Sequence, residues 1–289
     1  MIDLQNIIRN DYERLLKIEW DEKTDDQINL LLGKEDGLVH HHYAVGDYDH
    51  GILDLPPSVR EQAILDEMHR MENEQVGLVL DGLVGLPRGS RVLDAGSGRG
   101  GTSIVVSKEL DAEVVGVNIC RHHIDFAEKA AHDHGVGEKV SFHYANMADT
   151  RLPEKSFDAV VTNETTIYVD LDEAFGEFAR LLKPGGRYVI VTWCGNDIVG
   201  GRDEIEAIDA HYVCHIHNRS HYFQMLAKHN FVPIRVSNHT VDAIPYFDLR
   251  SYSNLAAGVE KPFLDAYRAN KMNYIVIVAE FGGREGAGR

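Results

Sequence analysis

Between residues 90 and 193 the chain alternates short β-branched runs with helical segments, and this alternation constrains the fold more than any other feature. The runs RVLDAG, AEVVGVN, VSFHYAN, FDAVVTN and GRYVIVTW are predicted to be strands. Helices are predicted between them at Ile104–Leu110, His122–His134 and Leu171–Leu182. Strands that alternate with helices indicate βαβ units and a parallel sheet that is covered on both faces.

The regions on either side of this alternation complete the predicted organisation. The N-terminal third is predicted to be helical, with its longest helix at Ser58–Val84 and a Gly- and Pro-rich loop before it. The late runs FVPIRVSNHTV and MNYIVIVAEF are predicted to be strands. We therefore predict a helical cap over residues 1–84 that covers the active site. An α/β core follows over residues 85–289, with an insertion near residues 195–225.

The segment VLDAGSGRGG is the most informative about ligand binding, because a predicted strand ends there in a glycine-rich turn that leads into a helix. Gly96 and Gly98 let the backbone approach a ligand at the carboxyl end of the strand, where open α/β sheets bind ligands. A GxGxxG-like pattern alone could also bind NAD. However, Asp94 before the first glycine can meet a cationic amino group. The next strand ends in Asn118, not in the acidic residue expected for an NAD ribose.

The charge balance limits the class of partner. The chain has 46 acidic and 29 basic residues, a formal net charge of -17. This argues against a nucleic-acid partner, and a polyanionic substrate would have to arrive with a metal ion. The three cysteines form no CxxC, so neither a disulfide framework nor a zinc cluster is indicated. No signal peptide or long apolar run is found, so we expect a cytoplasmic protein without a membrane partner.

Two histidine-rich stretches raise the question of a transition-metal site. DGLVHHHY places three histidines before Tyr43, and DAHYVCHIH contains an HxxCHxH pattern that begins at His211. The second spacing does not match a usual structural zinc site. Neighbouring histidines in a loop seldom all point at one ion. We interpret the second stretch as a pocket wall or polar surface, and the first, taken by itself, as a polar loop packed on the core.

The region Arg91–Trp193 resembles the class I S-adenosylmethionine-dependent methyltransferases. VLDAGSGRGG, GVNIC, YANMAD, FDAVVTNET and LLKPGGRYVIV follow one another in family order. The resemblance implies an α/β, Rossmann-like class I methyltransferase fold with a mostly parallel seven-stranded sheet and helices on both faces. It also implies that Asn146 and Met147 flank the adenine of S-adenosylmethionine. The other implied cofactor contacts are Gln75, Asp94, Gly96, Gly98, Asn118 and Asn163.

Further motifs narrow the resemblance to the bacterial prenyl diphosphate C-methyltransferases. DGLVHHHYAVG, LDEMHRMENEQ, NETTIYVDL and AHYVCHIHNRSHY are similar to that family, and the resemblance covers nearly the whole chain from about residue 27 onward. It implies S-adenosylmethionine-dependent C-methylation of an alkene carbon of a prenyl diphosphate, with geranyl diphosphate as the first expectation. The implied reaction passes through a carbocation and loss of a proton, in terpenoid or meroterpenoid biosynthesis. Mg²⁺ is implied as the ion that accompanies the diphosphate.

The residue types at the implied site suit this chemistry. An alkene is a poor nucleophile with no proton to remove first, so the enzyme must align the double bond and stabilise the developing positive charge. By resemblance, Glu164 is the carboxylate that stabilises the cation or takes the proton, and Tyr212 supplies an aromatic face. Tyr43 is expected to orient the diphosphate or to assist proton transfer. Asn29 is expected near Mg²⁺, directly or through water. The expected substrate contacts are His40, His41, His42, Tyr168 and Trp193.

Several alternatives stay open at this point. The acceptor could be isopentenyl or farnesyl diphosphate, or another carbon could be methylated. Tyr212 stands where Phe is common in the family, and this departure bears on pocket depth. A small-molecule N-methyltransferase or a cyclopropane-synthase-like enzyme would need neither the HHHY segment nor Mg²⁺. A non-catalytic S-adenosylmethionine-binding subunit is a third alternative. A homo-oligomer is compatible with the sequence.

Overall fold

The computed structural model describes residues 7–23 and 27–283, and every structural statement below refers to these residues. The α-helices are α1 (Asp11–Glu22), α2 (Gln27–Leu32), α3 (Pro57–Leu83), α4 (Gly101–Leu110), α5 (Arg121–Asp133), α6 (Leu171–Leu181), α7 (Asp203–Tyr212), α8 (Arg219–Lys228), α9 (Thr240–Arg250) and α10 (Glu260–Arg268). The strands are β1 (Arg91–Ala95), β2 (Glu113–Asn118), β3 (Val140–Tyr144), β4 (Phe157–Asn163), β5 (Leu182–Gly195), β6 (Phe231–Asn238) and β7 (Met272–Phe281).

The strands form one sheet in the order β3-β2-β1-β4-β5-β7-β6. The pairs from β3 to β5 are parallel, whereas β7 lies antiparallel between β5 and β6. The predicted class I fold, with its mostly parallel seven-stranded sheet, is therefore confirmed in the described part of the chain. Because β1, β2 and β4 are parallel neighbours, the turns that follow them meet at one edge of the sheet.

Both faces of the sheet are covered. Along β5, Val189 and Val191 pack into one apolar core, while Tyr188 and Ile190 pack into the other. This is the alternation expected of a strand whose successive side chains point to opposite faces. Helices α3, α4, α5, α9 and α10 contribute to the first core, and α6 and α8 contribute to the second. Burying each such aliphatic side chain contributes about 1.5–3 kcal/mol.

Helix α3 is long because its sequence supplies both a start and a continuous buried stripe. Pro57 occupies the first helical position, where its missing N–H costs nothing. Met68, Met71 and Gln75 follow at spacings of three and four and are fully buried. None of the helices in the described ranges combines the length and the apolar character needed to cross a membrane.

The chain between β6 and β7 differs from the sequence prediction. FVPIRVSNHTV was expected to be one strand, but β6 ends at Asn238 and α9 begins at Thr240. The side-chain oxygen of Asn238 accepts a hydrogen bond from the backbone N–H of Thr240 at 2.9 Å, a local bond that competes with the sheet ladder. Helices α9 and α10 then pack together, with the rings of Phe247 and Phe263 stacked at 4.1 Å.

Candidate active site

Two cavities border the turns that follow the central strands. The first cavity has an empty volume of about 970 Å³ and lies against the glycine-rich turn, the ends of β2 and β4, and α1. Seven of the eight predicted cofactor residues line it, namely Asp94, Gly96, Gly98, Asn118, Asn146, Met147 and Asn163. The first cavity therefore gathers residues from four separate turns of the chain.

The glycine-rich turn requires its glycines for steric reasons. Gly96 has a φ of 90°, and a Cβ at this position would lie 2.6 Å from Cγ2 of Thr165. Asp94 is the penultimate residue of β1 and accepts a hydrogen bond from Oγ of Ser103 at 2.5 Å. Burial raises the pKa of Asp94 to about 6, against the lowering effect of Ser103. A cationic amino group beside Asp94 would stabilise the ionised form of its carboxylate.

The eighth predicted cofactor residue, Gln75, lies behind the cavity wall. Its Nε2 donates to Oδ1 of Asn163 at 2.8 Å and to Oη of Tyr274 at 2.7 Å. In return, Nδ2 of Asn163 donates to Oε1 of Gln75 at 3.1 Å. Gln75 therefore orients Asn163 and Tyr274. It does not itself border the cavity, although it was predicted to contact the cofactor.

The second cavity lies beside the first and has an empty volume of about 1090 Å³. Four aromatic residues that were predicted for the acceptor site line it: Tyr43, Tyr168, Trp193 and Tyr212. Asn29, the residue expected near the metal ion, also lines it. Sequence reasoning missed Trp20, Lys23 and Arg250 on the same wall, because no local motif marks them.

Glu164 lies on the wall that the two cavities share, together with Trp20, His41, His42 and Tyr168. It directly follows β4, and its backbone N–H donates to the carbonyl of Val191 at 2.8 Å. Its φ of 57° is in the left-handed region, which is unfavourable for a residue with a Cβ. Strained backbone of this kind is concentrated at functional sites, where the surrounding structure maintains it.

The carboxylate of Glu164 is buried, with 3% of the residue exposed, and it accepts two hydrogen bonds. Tyr274 Oη donates to Oε1 at 2.6 Å, and the backbone N–H of Tyr43 donates to Oε2 at 3.1 Å. Burial raises the pKa of Glu164 to about 7, and these two donors and the nearby indole of Trp193 oppose the rise. The Trp193 N–H itself is buried and makes no hydrogen bond with any described residue. Near neutral pH this carboxyl group can either carry charge or hold a proton.

Tyr43 stands at the centre of an aromatic cluster. Its ring centroid lies 4.7 Å from that of Phe247, 5.3 Å from that of Phe263 and 5.6 Å from that of Trp193. Its hydroxyl contacts the hydroxyl of Tyr212. Burial raises the pKa of Tyr43 well above its ordinary value and that of Tyr212 to about 12. Both rings therefore stay neutral and present electron-rich faces.

The three consecutive histidines do not share one role. The rings of His40 and His42 lie 4.7 Å apart on one side of the segment, while the ring of His41 lies 4.7 Å from that of His123 on the other side. Successive side chains of an extended segment point in opposite directions, which accounts for this split. His40 is buried, its Nε2 donates to Oδ1 of Asn73 at 3.0 Å, and it borders only the first cavity.

The predicted substrate contacts His40, His41 and His42 are therefore placed differently with respect to the second cavity. Only His41 and His42 border that cavity. Burial lowers the pKa of His40 to about 4 and those of His41 and His42 well below 6.5. All three are therefore neutral at pH 7 and supply no positive charge to an anion.

Positive charge in the second cavity comes from other elements. Arg250 on α9 is buried, and its Nε donates to Oε1 of Glu260 at 2.8 Å. Burial lowers the pKa of Arg250, but the neighbouring tyrosine hydroxyls and Glu260 outweigh it and raise the net pKa. Lys23 lies over the rings of Trp20 and Tyr212, at 5.0 and 5.8 Å from their centroids. These two cations lie on a cavity of an otherwise strongly acidic protein.

The donor atoms of the second cavity also decide which metal would fit. Glu22 and Asn29 on its wall carry oxygen donors, which Mg²⁺ prefers.

The HxxCHxH residues do not gather their ligand atoms at one point in the described structure. One described group does so, with ligand atoms of Cys120, His122 and His123 within 4.8 Å of one another. Burial raises the pKa of the Cys120 thiol to about 11, which opposes the thiolate that a metal would need.

Comparison with known proteins agrees with this geometry. A family model described as a methyltransferase domain matches residues 93–190, which include the glycine-rich turn and β4. The sheet order, the first cavity and this match together define the chain as a class I S-adenosylmethionine-dependent methyltransferase. The predicted fold and enzyme class are thereby confirmed.

Closer relatives specify the family. Geranyl diphosphate 2-C-methyltransferase of Saccharopolyspora erythraea is 39% identical over 270 residues, which cover 93% of this chain and 94% of the relative. The enzyme of the same name from Streptomyces ambofaciens is 36% identical over 88% of each chain. The crystal structure of geranyl diphosphate C-methyltransferase from Streptomyces coelicolor has a TM-score of 0.91 at 34% identity, over 95% of this chain and 99% of that one. The chain belongs to the geranyl diphosphate 2-C-methyltransferase family.

Proposed function

We propose that this chain methylates C2 of geranyl diphosphate with S-adenosylmethionine as the methyl donor. The observation that carries the proposal is the position of Glu164, a buried carboxylate on the wall between two cavities. The Streptomyces coelicolor relative was crystallised with Mg²⁺, geranyl-S-thiolodiphosphate and S-adenosyl-L-homocysteine. We assign S-adenosylmethionine to the first cavity and the prenyl diphosphate to the second.

The residues of the shared wall can carry out the steps that an alkene acceptor requires. Bound S-adenosylmethionine supplies an electrophilic methyl group. The walls of the second cavity align the double bond, whose electron pair forms the new C–C bond to the methyl group as the S–CH₃ bond breaks and leaves its electron pair on sulfur. Ionised Glu164 stabilises the positive charge that develops on the neighbouring carbon. A C–H bond beside the cation then breaks, its electron pair restores a double bond, and Glu164 accepts the proton. A pKa near 7 suits a group that is ionised at first and protonated afterwards.

The aromatic wall supports the same step. The rings of Trp193 and Tyr212, whose centroids are 5.9 Å apart, provide faces that attract a cation without offering an amine or thiol that could be methylated. Tyr168 extends this wall toward the first cavity. Tyr43 holds Glu164 through its backbone N–H and contacts Tyr212 through its hydroxyl. Tyr43 thus positions both the carboxylate and the ring.

The diphosphate end needs positive charge, since His41 and His42 on the wall of the second cavity are neutral. Arg250 and Lys23 can pair with phosphate oxygens. Glu22 and Asn29 can hold Mg²⁺ or its waters beside the diphosphate.

Several expectations from the sequence stay predictions. They are the helical cap over residues 1–84, the core over residues 85–289, the cytoplasmic location and the homo-oligomeric state. The absence of nucleic-acid and membrane partners also stays a prediction.

A product assay tests the proposal. Purified protein is incubated with methyl-labelled S-adenosylmethionine and, separately, isopentenyl, geranyl and farnesyl diphosphates, with Mg²⁺ or EDTA. The products are identified after phosphatase treatment. We expect 2-methylgeraniol from geranyl diphosphate and loss of turnover in EDTA. Methylation of another acceptor would revise the substrate, and binding without any turnover would indicate a non-catalytic subunit.

A further inference from the structure

One side of α1 forms part of the first cavity. Glu13, Leu16 and Trp20 border the cavity, and their spacing of three and four places them on one side of the helix. The segment before α1 is tied to the core, because Nδ2 of Asn146 donates to the carbonyl of Ile7 at 3.1 Å. Helix α1 therefore closes one side of the cavity next to Asn146.

Glu13 brings a buried carboxylate to this side, with 7% of the residue exposed. Its Oε2 accepts the backbone N–H of Arg9 at 2.6 Å, and its Oε1 accepts Nε of Arg9 at 2.9 Å. Arg9 also bridges to Oε2 of Glu173 at 2.7 Å, outside the cavity. A carboxylate has about four lone-pair positions, so Oε2 can accept one more hydrogen bond.

The amide oxygens of Asn118 and Asn146 in this cavity each accept one backbone hydrogen bond and carry no charge. Oδ1 of Asn118 accepts the backbone N–H of Cys120 at 2.8 Å. Oδ1 of Asn146 accepts the backbone N–H of Ala148 at 2.9 Å. The adenosine half of S-adenosylmethionine carries a 6-amino group and two ribose hydroxyls, all of which are hydrogen-bond donors. These donors need an acceptor when they are buried.

We infer that Glu13 is a cofactor-binding residue whose carboxylate accepts a hydrogen bond from the adenosine half of S-adenosylmethionine. The inference rests on the proposed function, since it requires this cofactor in the first cavity. Of the carboxylates that border the cavity, Asp94 bonds Ser103 at the glycine-rich turn and Glu164 lies on the shared wall. Glu13 is therefore the carboxylate that borders the cavity from α1, on a different side from Asp94 and Glu164. Because Glu13 lies on α1, cofactor binding also holds this helix against the core.

Calorimetric binding of S-adenosylhomocysteine and 5′-methylthioadenosine tests the inference, because the second ligand lacks the amino-acid half. Glu13→Gln should weaken both about 10-fold, a factor typical of losing a bond to a charged acceptor. Asp94→Asn should weaken only S-adenosylhomocysteine. Glu173→Gln is the matched control, because it breaks a bridge to the same Arg9 outside the cavity and should leave both affinities within about twofold of wild type.

Two further measurements complete the test. Comparing 5′-methylthioadenosine with 5′-methylthioinosine shows which group is bound: a loss confined to the adenosine compound identifies the 6-amino group, and an equal loss identifies a ribose hydroxyl. Hydrogen exchange in α1 should slow on addition of S-adenosylhomocysteine in wild type and Glu173→Gln, but not in Glu13→Gln. Wild-type affinities in Glu13→Gln, or equal losses in Glu13→Gln and Glu173→Gln, would overturn the inference. Failure of the wild type to bind S-adenosylhomocysteine would overturn the proposed function itself.

Discussion

The hydroxyl of Tyr274 donates a hydrogen bond of 2.6 Å to Oε1 of Glu164, and both residues are buried. Tyr274 lies on β7, 110 positions after Glu164 in the chain. Gln75 on α3 donates to the same tyrosine oxygen at 2.7 Å and fixes it in place. A residue of the last strand therefore controls the ionisation of the carboxylate that we place at the reaction centre.

Replacing Tyr274 should move the pH dependence of turnover. Burial raises the pKa of Glu164 to about 7, and the hydrogen bond from Tyr274 opposes this rise. Tyr274→Phe removes that hydrogen bond, so the pKa of Glu164 should rise further. Since the reaction needs the ionised carboxylate, kcat falls as pH drops through this pKa. The fall should occur about 1–2 pH units higher in the variant, given about 1.5–3 kcal/mol for a bond to a charged group. Tyr222→Phe removes a buried hydroxyl that bonds Thr166 and Thr192 and not Glu164, so it should leave the profile in place. An unshifted profile in Tyr274→Phe would contradict this role.

Replacing the carboxylate itself should separate chemistry from cofactor binding. Glu164→Gln keeps the size and the hydrogen-bonding oxygen of the side chain but removes its charge. We expect kcat to fall by about 100-fold or more, the usual range for a positioned acid or base. Calorimetry with S-adenosylhomocysteine, which carries no sulfonium charge, should give an affinity within about threefold of wild type. A variant that turns over at the wild-type rate would remove Glu164 from the mechanism.

Variants of Tyr212 test whether its aromatic ring or its hydroxyl contributes to turnover. Tyr212→Phe keeps the aromatic face and removes the hydroxyl contact with Tyr43, so kcat should stay within about threefold of wild type. Tyr212→Leu removes the face, and a cation–π contribution of about 0.5–2 kcal/mol corresponds to a loss of about 2- to 30-fold. Single-turnover rates with geranyl diphosphate measure the loss of activity in the Phe and the Leu variant. Equal rates for the Phe and Leu variants would show that the ring does not stabilise the cation.

The ion pair between Arg250 and Glu260 should contribute to stability as well as to substrate binding. Both side chains are buried, at 6% and 3% exposure. Arg250→Met leaves a buried carboxylate without its partner, which typically costs about 3–5 kcal/mol of the free energy of unfolding. Lys228→Met, which breaks the exposed pair with Asp172, should cost about 1 kcal/mol or less. Urea unfolding measures both, and similar losses in the two variants would contradict the expectation.

His69 should make stability fall at alkaline pH. Burial lowers the pKa of His69, but the hydrogen bond with Asp36 at 2.9 Å and the carboxylate of Glu72, 3.9 Å away, prevail and raise this pKa from 6.5 to about 9. A raised pKa means that the stabilising contribution is complete below pH 6.5 and disappears as pH rises through 9. The urea midpoint should therefore decline between pH 6.5 and 9 in wild type, and less steeply in His69→Gln. His132→Gln, at an exposed site, is the control. Parallel slopes in wild type and His69→Gln would exclude this linkage.

The fold followed from the sequence to a large extent, because its signals are local. The strands from β1 to β5 contain runs rich in β-branched residues, and the glycine-rich turn marks the end of β1. The predicted α3, Ser58–Val84, differs from the observed Pro57–Leu83 by one residue at each end. The end of β6 was harder to predict from the sequence. The run of extended residues continues past Asn238, but in the structure the Asn238 side chain bonds the backbone N–H of Thr240 and the strand ends there.

The sequence by itself determined which residues could bind the cofactor and that Glu164 follows β4, because these features depend on motifs of a few neighbouring residues. It also identified the histidine segment and named its three side chains as substrate contacts, but only the structure shows that His40 and His42 lie on one side and His41 on the other. Only the tertiary structure brought Glu13 to the first cavity, Arg250 to the second, and Tyr274 into contact with Glu164. These residues come from α1, α9 and β7, and no local pattern marks them. Their roles depend on burial and on distances between segments more than a hundred residues apart, which only the packed chain defines.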